Sequence, residues 1–207
     1  MKDIVPKDSR YIPFTQQKSC CVLACISMIM YKNRIPLLPQ ELLGYHLGLI
    51  VSPEDKRLFW NVTTGKKPLS GYGTRISVEK YNPNLVKSKK YDPNLVFKKL
   101  KIPLKMMIHP IADFNINSFV GFIIKSIKND GDILVCLNNG ILNGNESSGG
   151  HLCVIDRIYP SKKEVRIIDP SYNKPKWRII KINKLKKSME VHPAKGGAFW
   201  EFIKIKW

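Results

Sequence analysis

The sequence predicts an α+β fold in which an N-terminal helix packs on a C-terminal antiparallel sheet. Three observations carry this. From Cys21 to about Lys32, the residues Val22, Cys25, Ile26, Ile29 and Met30 fall on one face at helical spacing. From Asp132 onward the pattern changes to short apolar or alternating runs separated by turn residues. Helical segments precede the strands instead of alternating with them, which is the α+β order.

Residues 1–19 read as an extended lead-in, because Pro6 and Pro13 oppose helix. The helix that follows has Ser19 as a candidate cap. Leu38 to Leu47 suggest a second short helix with Pro39 in its first turn. From Val51 to about Leu100 the chain is rich in Gly, Pro, Asn and Lys, and Gly71-Tyr72-Gly73-Thr74 reads as a turn. A short tandem repeat lies in this stretch: Tyr81-Asn82-Pro83-Asn84-Leu85-Val86, then Tyr91-Asp92-Pro93-Asn94-Leu95-Val96. Two copies do not make a solenoid; a local duplication in a surface insertion is expected. Asn117 to Asn129 predicts a helix with Phe119, Ile123, Ile124 and Ile127 on one face. Strands are expected at 132–137, 152–159, 165–169, 177–182 and 199–205, with Pro160-Ser161-Lys162-Lys163 turning a hairpin between the second and third.

The 207 residues suit one domain, 1–207, with an insertion at about 51–100. An apolar share of 43% supplies a real core. The net charge of +19, from 35 Lys and Arg against 16 Asp and Glu, favours anionic partners such as nucleic acid, acidic lipid or an acidic protein. Abundant lysine as a solubilising surface residue explains the same charge without any partner. Five cysteines, an odd number without framework spacing, read as reduced thiols. The first eight residues lack an apolar core of signal-peptide length. The longest apolar run, Cys20 to Tyr31, is too short to span a bilayer and carries Ser27. A cytoplasmic protein without a transmembrane segment is expected; the oligomeric state is left open.

Chemistry concentrates in two distant segments. The first is Gln16-Gln17-Lys18-Ser19-Cys20-Cys21-Val22-Leu23-Ala24; the second runs from Gly149-Gly150-His151-Leu152-Cys153 to Ile168-Asp169-Pro170. A thiol reacts as its thiolate, and a helix N-terminus stabilises that anion. Cys21 fits this place; Cys20 is its rival, rotated by about 100° on a helix. Cys25, Cys136 and Cys153 read as small buried hydrophobes.

Among the histidines, His46 reads as structural, while His109 and His192 precede prolines and read as loop residues. His151 follows two glycines, which give the backbone freedom and leave room for a substrate, and opens an apolar strand. Asp169 closes the neighbouring strand before Pro170. If the two strands form a hairpin, it shares an edge with His151 and can hold the imidazole; Asp156 is the rival. The Cys21 backbone N–H and the Gln16 side chain, or alternatively Gln17, would receive an oxyanion. A metal site from Cys20, Cys21, Cys25, His151 and Cys153 matches no usual zinc spacing. No cofactor is expected.

Gln-x4-Cys-x-x-Ala, then Gly-His opening an apolar strand, then Asp-Pro, resembles the papain-like cysteine peptidases. It is most similar to the compact branch of double-glycine leader peptidases of bacteriocin exporters and their stand-alone relatives. The resemblance covers about residues 10–32 and 148–172. It implies a papain-like α+β fold, a Cys-His-Asp triad at Cys21, His151 and Asp169, and an oxyanion-hole glutamine at Gln16. Where that family has Cys-Gly at the nucleophile, this chain has Cys21-Val22, and it carries no transporter segment. The activity implied is that of a free-standing cysteine hydrolase acting on a peptide, a protein or a small amide, or of an acyltransferase with the same machinery. The alternative is a silent papain-like module whose basic surface holds an anionic partner.

Overall fold

A computed structural model of the chain describes residues 6–59, 63–64, 72–76, 91–145, 149–173, 176–193 and 197–206. The expected first copy of the tandem repeat, at 81–86, lies outside them. Helix α1 (Cys21–Lys32) leads, followed by α2 (Gln40–His46) and a small parallel pair, β1 (Ile50–Val51) with β2 (Thr63–Thr64). Then come α3 (Pro93–Lys99), β3 (Leu104–Pro110), α4 (Ile116–Lys128), β4 (Asp132–Asn138), α5 (Asn139–Asn143), β5 (Gly150–Tyr159), β6 (Glu164–Ile168), β7 (Trp177–Lys181), α6 (Ile182–Glu190) and β8 (Ala198–Lys204). The last six strands form one sheet in the order β3-β8-β4-β5-β6-β7, with every neighbouring pair antiparallel.

The sheet separates two apolar cores. On one face, Leu152 and Val154 of β5 join Leu23, Ile26 and Met30 of α1 and Trp200 of β8. On the other, Cys153 and Ile155 join Phe119 and Ile123 of α4 and Leu185 and Met189 of α6. The strand alternation of side chains produces this division. Helix α1 is more deeply enclosed than a one-faced helix: every residue from Val22 to Met30 is buried. The expected apolar stripe is therefore only the sheet-facing part of a helix covered on all sides.

Of the expected lead-in, residues 1–5 lie outside the described residues, and 6–19 form a strap tied to the sheet by buried charge. Asp156, fully buried, accepts from the Arg10 backbone N–H at 2.7 Å and from Arg166 Nε at 2.6 Å. Tyr11 donates its hydroxyl to buried Asp132 at 2.6 Å, and Lys32 from the end of α1 meets the same carboxylate at 2.8 Å.

Several boundaries differ from expectation. Ser19 does not cap α1; it adopts a left-handed φ of 62°, and Cys20 takes the cap position without a side-chain cap bond. His109 lies in strand β3, against Glu201 at 3.1 Å, and not in a loop. The stretch 177–182 ends as a strand at Lys181, and α6 follows at once. The second repeat copy starts helix α3: Asp92 caps it by accepting from the Asn94 and Leu95 N–H groups, and Pro93 occupies the first turn. Among the described residues, no helix is long and apolar enough to cross a membrane.

Candidate active site

The site lies where the N-terminus of α1 meets the starting end of β5. Cys21 opens α1 and is half-buried, while Cys20 is completely buried. Burial pushes the Cys20 thiol up to about 12. Burial acts on Cys21 in the same sense, but its hydrogen bond to His151 and the backbone N–H groups of Leu152 and Val22 outweigh it, and its thiol is held below the usual range. The Val22 N–H belongs to the uncapped first turn of the helix, whose free donors favour an anion. The Cys25 thiol, one turn further along and buried, points its sulfur at the Leu152 carbonyl at 3.6 Å. Burial raises it well above the ordinary range.

His151 is 5% exposed. Its Nε2 lies 2.8 Å from Asp169 Oδ1 and 3.4 Å from Ser171 Oγ. Burial opposes its charge, yet the surrounding thiol of Cys153, the Asp169 carboxylate and Cys21 together raise the imidazole well above its ordinary value. Asp169 is fully buried and saturated with donors. Oδ1 also accepts from the Ser171 N–H at 3.0 Å, and Oδ2 accepts from Arg178 Nη1 at 2.7 Å. Burial would raise this carboxyl, but the hydrogen bond and charge of His151 and the Ser171 donors hold it well below the usual carboxylate range.

The hairpin expectation explains why these side chains meet. β5 and β6 pair with Val154 opposite Ile168. Continuing that register past the strand end sets Asp169 opposite Cys153, with His151 a diagonal neighbour on the same face. Asp156, the rival aspartate, is buried in the strap ties already described.

Arg178 was not anticipated. It sits on edge strand β7, with Ile167 as its register partner. Its second nitrogen donates to Asn143 Oδ1 at 3.0 Å. Asn143 in turn donates to the Asn139 carbonyl at 2.8 Å, so α5 braces the guanidinium.

The two glutamines separate clearly. Gln17 is exposed and turned to α2, where its N–H faces Gln40 Oε1 at 3.3 Å and its amide faces Glu41 at 3.4 Å. Gln16 donates its backbone N–H to the Pro170 carbonyl at 2.9 Å, and its side-chain oxygen is buried without a partner among the described residues. Gly150 also has a different role from the one expected. It pairs with Asn138 inside the sheet, and a Cβ there would lie 2.7 Å from His192 Nε2. Its missing side chain makes room for that ring. Burial lowers His192 to about 4.

No family model matches the sequence, and no curated protein matches it. The fold is similar to a crystal structure from Bacillus anthracis provisionally designated a C39-like peptidase. The TM-score is 0.51 at 15% identity, over 94% of this chain and 96% of that one. At this identity the likeness concerns the fold alone: α+β, with helices on a six-stranded antiparallel sheet.

Proposed function

We propose that this protein is a cysteine-dependent hydrolase of peptide or amide bonds, with 1–207 acting as one papain-like domain. Cys21 is the nucleophile, His151 the base and acid, Asp169 the orienting carboxylate, and Gln16 an oxyanion donor. The observation that carries this reading is the buried His151–Asp169 pair, 2.8 Å apart through Nε2, beside the start of α1, where the charge of His151 helps hold the Cys21 thiol below its usual range. Nε2 is occupied by Asp169, so Nδ1 serves the sulfur.

In this scheme Nδ1 takes the proton from Cys21 and the thiolate attacks the substrate carbonyl carbon. The resulting oxyanion is received by the Cys21 N–H and the Gln16 side-chain amide. The imidazolium returns its proton to the leaving amine and a thioester remains. A water, deprotonated by His151, then releases the acid. An amine in place of water would give acyl transfer from the same thioester, so added amine nucleophiles and product analysis divide the two activities.

The test is labelling by a thiol-directed electrophile with mass detection. Wild type and Cys20→Ala should label at one rapid site, and Cys21→Ala should not. Equal labelling of all three would defeat the proposal. The net charge of +19 favours one second reading, a silent module for an anionic partner. Steep loss of polyanion binding with salt, together with an unreactive Cys21, would support it.

A further inference from the structure

Cys153 lies in the site but has no part in the hydrolytic scheme. It is fully buried on the face of β5 that carries His151. One ligand atom each from His151, Cys153 and Asp169 falls within 4.8 Å of the others. We propose that these three side chains form a binding site for a borderline-soft divalent cation of the Zn2+ type. Occupation of that site shuts down chemistry at Cys21.

The donor set carries the choice of ion. A thiolate, an imidazole and a carboxylate together suit zinc and cobalt, whereas magnesium and calcium take oxygen alone. The fold supplies the arrangement through the hairpin register that sets Asp169 opposite Cys153. Outer partners are also in place: the Ser171 N–H on Oδ1 and Arg178 on Oδ2 fix the carboxylate, as ligating carboxylates are commonly fixed. The ion replaces the proton now shared by Nε2 and Oδ1, which stand 2.8 Å apart. Two ligands at about 2.0 Å around a tetrahedral ion stand about 3.3 Å apart, so the Nε2–Oδ1 gap opens by about half an ångström, while the widest separation in the group, within 4.8 Å, closes by about an ångström. The thiolate and the carboxylate match the two positive charges, and the protons of Cys153 and Nε2 are released.

The inhibitory consequence rests on the hydrolase reading. An imidazole bound to the ion through Nε2 has given up that nitrogen's hydrogen, and the one hydrogen it then carries, taken over from Cys21, is held on Nδ1. It can neither take up a further proton nor pass this one to a leaving group, and it no longer activates the water that would release the acyl group.

Co2+ added to the full chain tests the site without reference to activity. A sulfur-to-cobalt charge-transfer band is expected in wild type and in Cys21→Ala, and its loss is expected in Cys153→Ser and Cys153→Ala. Both Cys153 variants should retain hydrolysis and resist Zn2+ by about 10-fold to 100-fold relative to wild type. Unchanged circular dichroism in either variant suffices to show that the loss is not unfolding. Absence of the band in wild type would overturn the proposal. So would a band lost in Cys21→Ala but kept in the Cys153 variants, since the ion would then sit on the Cys21–His151 pair. A wild type that hydrolyses nothing would sink the hydrolase reading and leave the cobalt band to decide the metal site.

Discussion

His151 Nε2 and Asp169 Oδ1 stand 2.8 Å apart in a place almost closed to water, with the residues 5% and 0% exposed. A carboxylate this deeply buried costs several kcal/mol unless its lone pairs are filled. Here His151, Ser171 and Arg178 fill them. The aspartate therefore stays ionised and holds Nε2 of the ring; in the proposed scheme this leaves Nδ1 for the thiol.

Asp169→Asn should lower kcat by about 10^4-fold, since an amide can present the wrong hydrogen-bonding atom to Nε2 and no longer stabilises the imidazolium. The variant should also lose about 1–3 kcal/mol of stability, because Arg178 keeps its charge without a partner; the guanidinium retains 18% exposure, which limits the loss. Steady-state kinetics on an activated amide and urea unfolding measure the two effects separately. A kcat within tenfold of wild type would contradict the assigned role.

The same pair sets a pH window for stability. Asp169 has a depressed folded pKa, so its contribution is present above the unfolded value of about 3.9 and is lost as pH falls towards the folded one. His151 has a raised folded pKa, so its contribution is present below about 6.5 and is lost as pH rises through its folded value. Stability from the pair is thus complete between about pH 4 and 6.5 and falls on either side. Thermal melting across pH should show this dome in wild type and flatten it in Asp169→Asn. An identical profile in the two proteins would rule out the coupling.

Arg178→Met should reduce kcat about tenfold, or about 1.4 kcal/mol, with KM little changed, because its side chain is spent on Asp169 and Asn143. Arg178→Lys should recover part of the loss, since it restores the charge but not the two-point bond that links Asp169 to Asn143. A merely structural residue would show its effect in unfolding and leave the kcat-to-KM division and the pH profile untouched.

Arg178 also marks the limit of what the sequence discloses. Cys21 and His151 could be named as candidates because a helix start and a strand start are local features, and the structure does place them at the start of α1 and near the start of β5. Asp169 was legible through the hairpin. Arg178 is one of 35 Lys and Arg residues, and only the β6–β7 register distinguishes it from a solvated charge. Gln16 and Gln17 could be ordered in favour but not separated, since their difference depends on contacts with α2. Helix α3 carried its signals, Asp92 and Pro93, but they fall inside a repeat whose expected character was a duplication in a surface insertion. Helix α6 shows Ile182, Leu185 and Met189 inward, and continuation of the β7 alternation masked its first turn. Strand β3, edged by prolines, was missed because its partner β8 lies almost a hundred residues later.

The two buried aspartates of the β5–β6 hairpin should separate by phenotype, and this decides between the rivals. Asp156 binds the Arg10 N–H, Ser9 and Arg166, and so ties the strap to the sheet. Asp156→Ala would leave Arg166, itself 7% exposed, with only the half-exposed Asp8 as countercharge at 3.0 Å, and should cost about 3 kcal/mol. The strap continues to Gln16, whose backbone is held separately by Pro170, so the site geometry should survive below the melting transition. Below that temperature, then, Asp156→Ala should keep kcat within a few-fold of wild type while its urea midpoint drops sharply, the reverse of the ranking expected for Asp169→Asn. If both variants lost activity equally with matching stability losses, activity would be tracking folding alone, and Asp169 would have no distinct role at the imidazole.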